Sequence, residues 1–167
     1  MDKEPKESKE NKEKEQEELN RVIKCEYQRI KENGILDFGI KVDILNEDYT
    51  KWYITMTAPE DSKYKGGKYT LIAEFPFEYP LKNRKFTVQT KIYHCNVDDD
   101  NELKVNWLMK GMKMDHILPR LLTLFYLQDP NVDEKSERSQ LYKSDTKEFD
   151  KNIKNSVEEL IQQEKNK

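Results

Sequence analysis

The sequence predicts an α+β fold. Its elements are an N-terminal helix, a four-stranded antiparallel meander, a central helix and C-terminal helices packed on one face of a single sheet. Three observations predict it. Apolar residues recur at helical spacing near both ends of the chain. Between them lie four runs rich in β-formers. Those runs are joined by turn-sized links, which favour antiparallel neighbours.

The elements follow in order. "MDKEPKESKENKEKEQEE" is a Lys/Glu tail whose single apolar residue is Met1. It buries too little to offset its ordering entropy, so residues 1–17 are expected to be a mobile charged tail whose end can extend the next helix. Residues 18–163 are expected to form the domain, with 164–167 a polar end. Leu19, Val22, Ile23, Tyr27 and Ile30 form a helical stripe of about four turns that stops at Gly34. The strand candidates are "ILDFGIKVDIL", "KWYITMTAP", "KYTLIAEF" and "KFTVQTKIY". Gly66-Gly67 makes the turn before the third. Ile117, Leu118, Leu121, Leu122, Leu124, Phe125 and Leu127 are apolar almost all round, as in a helix buried at the centre of a domain. Pro119 is expected in its first turn. After "DPNVD", a stripe from Leu141 through Phe149, Ile153 and Val157 to Ile161 predicts the C-terminal helices.

Composition narrows the function classes. The 167 residues suit one domain. Net charge is −3, which gives no global attraction to nucleic acid or an anionic membrane. The longest apolar run, "ILPRLLTLFYL", is far too short to span a bilayer. Two distant cysteines make no disulfide framework, so a reducing compartment, cytoplasmic or nuclear, is expected, with organelles left open. Two histidines and two cysteines scattered along the chain make no zinc pattern, and "DDDNE" lacks the spacing of a calcium loop. No metal or cofactor is expected. Cys25, on the first helix, is expected to be packing filler.

One segment draws attention: "IYHCNVDDDNELKVNW", from Ile92 to Trp107. It follows "W…APEDSKYKGGKYTLIAEFPFEYP". Together these stretches resemble the ubiquitin-conjugating enzymes, which carry a Trp, a Y-x-GG turn, an FP-x-x-YP segment and then HPN. The matches are Trp52, Pro59, Tyr64, Gly66, Gly67, Phe75, Pro76, Tyr79, Pro80, His94 and Asn96. "DPNVDEKSERSQLYKSDTKEFDK" and "VIKCEYQRIKENG" resemble two further sections of that family. The resemblance implies that family's fold. It also implies that Asn96 can stabilise an oxyanion and ties down a local loop, and that His94 is a structural brace.

The chain departs from the pattern at one position. The family's catalytic Cys lies eight residues after that Asn, in G-x-x-C-L; here the count reaches Lys104, and the motif's Gly is Asn101. The family's W-x-P segment is replaced by "GMKMDH". Carrying a modifier needs a thiolate that accepts an acyl group and returns it. A lysine amine would instead form an amide, which does not exchange. The expectation is therefore a family member without catalysis, with His94, Asn96 and Lys104 as a degenerate site. Such a chain would be a protein-binding or scaffold module, partnered by an active conjugating enzyme, ubiquitin or a ubiquitin-like protein, or a large assembly. The alternative is an active enzyme using Cys95, the residue in place of the HPN proline. For partner binding, the resemblance points to Arg21 and Lys24 on the first helix and to Leu81 after "YP". The usual Pro-Pro after that Leu is Asn83-Arg84.

Overall fold

The computed structural model describes residues 6–167. Helix α1 spans Lys6–Glu32. Strands β1 (Ile40–Ile44), β2 (Lys51–Thr57), β3 (Lys68–Glu74) and β4 (Lys85–Val88) follow, then helices α2 (Met114–Thr123), α3 (Glu137–Ser144) and α4 (Thr146–Lys165). The four strands form one antiparallel sheet in sequence order. Its register places Val42 opposite Ile54, Ile54 opposite Leu71 and Leu71 opposite Val88. The strand period of two therefore sends Ile54, Leu71 and Val88 to one buried face. The same core takes in Ile23 and Ile30 of α1, Ile117, Leu118 and Leu121 of α2, and Phe149 and Ile153 of α4, Phe149 packing on the Tyr93 and Tyr142 rings. On the other face Thr55 and Thr70 share a cross-strand hydrogen bond of 3.0 Å. The α+β architecture is as the sequence predicts.

Several boundaries differ. Residues 6–17, expected as mobile tail, are helical and continuous with α1, while residues 1–5 of that tail lie outside the described residues. Lys, Glu and Gln are strong helix formers. Opposite charges four apart, such as Lys9–Glu13 and Glu10–Lys14, extend a helix that already has its nucleus. At the other end α4 runs through the expected polar end as far as Lys165. The first strand run splits, because Gly34 and Gly39 take φ of 76° and 80° and enclose a 3-10 turn at Ile35–Phe38. Only Ile40–Ile44 is strand. The fourth strand stops at Val88, and beyond it the N–H groups of Gln89 and Thr90 converge on the one Thr70 carbonyl, so the regular ladder ends.

Pro119 sits inside α2 and not in its first turn. The helix starts earlier than expected because the buried carboxylate of Glu26 accepts the Met114 N–H at 2.9 Å, capping the helix from outside. The turn glycines have separate reasons. Gly66 has φ of 90°, and a side chain at Gly67 would lie 2.5 Å from the Tyr69 ring. Asp145 divides the C-terminal helices, its carboxylate accepting the Glu148 N–H.

Candidate functional site

The segment from Tyr93 to Val105 is bonded at its start to the chain just after α2 and to α3, and at Asn101–Leu103 it returns to bond β4. His94 is 2% exposed. Its Nδ1 accepts the Asn96 N–H at 2.9 Å, so Nε2 carries the proton and donates it to the Leu124 carbonyl at 2.8 Å. Burial drives its pKa down to about 4, and the ring is neutral. It stacks on Tyr64, whose hydroxyl donates to the Tyr93 carbonyl and accepts from Gln128. Gln128 in turn accepts the Cys95 N–H. His94 is thus a brace.

Asn96 is equally buried, and its amide is fully engaged. Nδ2 donates to the carbonyls of Lys104 (2.9 Å) and Asp129 (3.1 Å), and Oδ1 accepts the Asp129 N–H at 3.0 Å. The Lys104 N–H returns a bond to the Asn96 carbonyl at 2.7 Å. The Asn96 side chain therefore locks two loops together.

Between these residues the chain makes a tight excursion. Asp98 accepts the N–H groups of Asp100 and Glu102, and Asn101 holds φ of 61° where the family pattern has glycine. Asn is among the few side chains that tolerate this conformation. Val97 pairs with Leu103 as the excursion closes. The Lys104 ammonium then lies 3.5 Å from Glu102 and 3.7 Å from Asp98, with its side chain 41% exposed. Its two flanking partners, Asn96 and Val105, line a groove of about 260 Å³ walled by Trp107, Arg120 and Leu124. The Arg120 guanidinium lies 5.6 Å from the Trp107 ring.

Cys95 points the other way. Its Sγ meets the Arg138 carbonyl of α3 at 3.7 Å, and the residue is 2% exposed. Burial pushes the thiol up to about 11. A sealed thiol held protonated is poorly suited to attack a thioester. Cys25 is exposed on α1 and is not packing filler. The helical phase turns it to solvent, beside the buried Glu26.

The residues expected to bind partners lie elsewhere. Arg21 is held by Glu18 at 2.9 and 2.5 Å. The Lys24 ammonium lies 5.1 Å from the Tyr49 ring. Leu81 is 79% exposed, and Met109, which sequence reasoning missed, is 67% exposed. Also missed was a buried polar cluster. The Tyr79 hydroxyl donates to the Glu26 side chain at 2.5 Å, and Arg84 donates to the Met112 carbonyl at 2.7 Å and to Tyr79. The sequence held one signal: Glu26 falls on the buried stripe between Ile23 and Ile30.

The model of the family "Ubiquitin-conjugating enzyme" matches residues 21–157. The chain is 31% identical over 148 residues to ubiquitin-conjugating enzyme E2 14 of Schizosaccharomyces pombe, covering 84% of this chain and 93% of that protein. It is 28% identical over 162 residues to the ubiquitin-conjugating enzyme E2 of African swine fever virus (strain Badajoz 1971 Vero-adapted), covering 86% of this chain and 74% of that one. The corresponding protein of the Pig/Kenya/KEN-50/1950 isolate is 26% identical over 162 residues, covering 86% of this chain and 72% of its own length. Among the described residues no helix is long and apolar enough to cross a membrane.

These findings correct one expectation. The chain was expected to stand outside the enzymes because of Lys104, yet the family model and every relative just given are named as conjugating enzymes. The expectation weighed one side chain at one position, whereas the likeness runs from residue 21 to residue 157. With its sheet, its braced His94–Asn96 segment and this likeness together, the chain belongs to the ubiquitin-conjugating enzyme family.

Proposed function

We propose that residues 18–163 act in ubiquitin conjugation by docking protein partners of the pathway, an active conjugating enzyme first among them. One observation carries this reading. The loop with Leu81 and the loop with Met109 are tied together, the Asn83 side chain donating to the Leu108 carbonyl at 3.2 Å. Both apolar side chains, with Phe77 nearby in sequence, stand in solvent. Isolated exposed apolar residues are ordinary, but several on joined, hydrogen-bonded loops make a preorganised anchor. Arg21 and Lys24, each held by a neighbour on its own side of the fold, offer a second, positively charged surface on α1. The family supplies the class of partner.

The test is a titration of isotope-labelled protein, followed by NMR, with an active conjugating enzyme and separately with ubiquitin. Shifts are expected to cluster on Leu81, Met109 and the first helix. Leu81→Asp and Met109→Asp should abolish the loop shifts while leaving the rest of the spectrum in place. No shift with either protein at millimolar concentration would sink the reading.

A further inference from the structure

We propose that β1 is a self-association edge, on which two copies of the chain pair their β1 strands antiparallel about Val42 and join their sheets. This interface is separate from the Leu81 loop, which links β3 to β4. The fold treats the two edges of its sheet differently. At the β4 edge the chain covers itself, the Val88 N–H donating to the Asn101 carbonyl at 2.7 Å and the Leu103 N–H to the Phe86 carbonyl at 3.0 Å. At the β1 edge, among the described residues, no backbone segment makes such bonds.

The register shows which groups are left over. In an antiparallel pair, alternate residues turn their main-chain groups towards the neighbouring strand. The Thr57 N–H bonds the Gly39 carbonyl, and Lys41 and Asp43 stand opposite Thr55 and Tyr53. Gly39, Lys41 and Asp43 therefore face β2. The N–H and carbonyl groups of Ile40, Val42 and Ile44 face outward, a template for another strand.

Charge selects the occupant. Lys41 and Asp43 lie on the solvent face of the sheet, with side chains 73% and 44% exposed. A lysine alone on an edge repels a second copy. With an aspartate two residues on, a two-fold axis through Val42 sets Lys41 opposite the partner's Asp43, and Asp43 opposite the partner's Lys41. The same axis pairs Ile40 with the partner's Ile44. It also brings the strand end beside exposed Phe38 to the end beside the partner's exposed Leu45. A slip of two residues either way sets lysine on lysine or aspartate on aspartate, so this register is favoured over its neighbours. A strand of five residues is a small patch, and the dimer is weak and concentration-dependent.

The full chain would be followed by sedimentation equilibrium and NMR from micromolar to millimolar concentration. Self-association is expected, with amide exchange slowing at Ile40, Val42 and Ile44 as concentration rises. Lys41→Asp sets like charges opposite at both cross-strand pairs and should weaken the dimer roughly tenfold. Adding Asp43→Lys to that variant restores opposite charges and should recover the original dimerisation constant. A chain that stays monomeric at millimolar concentration would overturn the proposal. So would a dimer that Lys41→Asp leaves unchanged, or one that the double exchange does not restore.

Discussion

Asn96 and Lys104 are joined by a reciprocal pair of hydrogen bonds. The Lys104 N–H reaches the Asn96 carbonyl at 2.7 Å, and the Asn96 side chain reaches the Lys104 carbonyl at 2.9 Å. The same side chain holds Asp129 from both its N–H and its carbonyl. One amide thereby sets the distance between the excursion at residues 97–103 and the loop after α2.

Asn96→Ala should therefore be costly. It leaves the Lys104 and Asp129 carbonyls and the Asp129 N–H without their side-chain partner. At about 1 kcal/mol for each bond, the expected loss is about 2–3 kcal/mol. Urea unfolding monitored by fluorescence would measure it. A loss below about 0.5 kcal/mol, the size of an ordinary surface change, would mean that the amide does not lock the loops.

His94 should make the fold acid-sensitive. Its ordinary value near 6.5 is driven to about 4 by burial. Between those values the unfolded chain binds a proton that the folded chain refuses. Its contribution is complete above pH 6.5 and fades as the pH falls towards 4, by about 3 kcal/mol in all. Unfolding midpoints should fall steadily over that window. The check is the His94 ring signal by NMR, which should stay still from pH 7 to pH 5; movement near pH 6.5 would contradict the buried neutral ring.

The two thiols should differ sharply. Cys25 is exposed, and Cys95 is sealed with its thiol pushed up to about 11. A thiol-reactive dye at neutral pH should label one cysteine in the native protein and two in denaturant. Mass spectrometry should place the native label on Cys25. Rapid native labelling of Cys95 would show that the segment opens, and would revive its candidacy as a nucleophile.

The elements were legible because their periods are physical. A buried face forces Ile54, Leu71 and Val88 onto one side of a sheet, and Phe149, Ile153 and Val157 onto one side of a helix. The His94–Asn96 brace was legible because its residue types and spacing stand together in sequence. What escaped were features made by residues distant in the chain. The start of α2 depends on a carboxylate from α1, so Pro119 could not be placed from its own neighbours. The splitting of the first strand run depends on the φ angles of Gly34 and Gly39, which periodicity does not encode. Arg84 sits in a polar loop stretch, yet its guanidinium is buried on the Tyr79 and Phe75 rings, 4.8 and 5.6 Å from their centres.

That last cluster gives the sharpest stability test. Glu26 joins α1 to the first turn of α2 through Met114, and to the loop before β4 through Tyr79. Arg84 lies on Tyr79 and binds the Met112 carbonyl just ahead of α2. Burial pushes the Tyr79 phenol above its ordinary range, with the neighbouring carboxylate adding to the shift, so it remains a donor at any neutral pH. Removing Glu26 leaves the Tyr79 hydroxyl and the Met114 N–H without their acceptor, and two buried bonds of this kind come to about 3–5 kcal/mol. Glu26→Ala should fall in that range. Tyr79→Phe removes one hydroxyl and should cost about 1–2 kcal/mol. If the two act as a unit, the double variant should lose less than the sum of the single losses, by at least about 1 kcal/mol. Additive losses in urea unfolding would mean that Glu26 serves mainly to cap α2, with Tyr79 incidental to it.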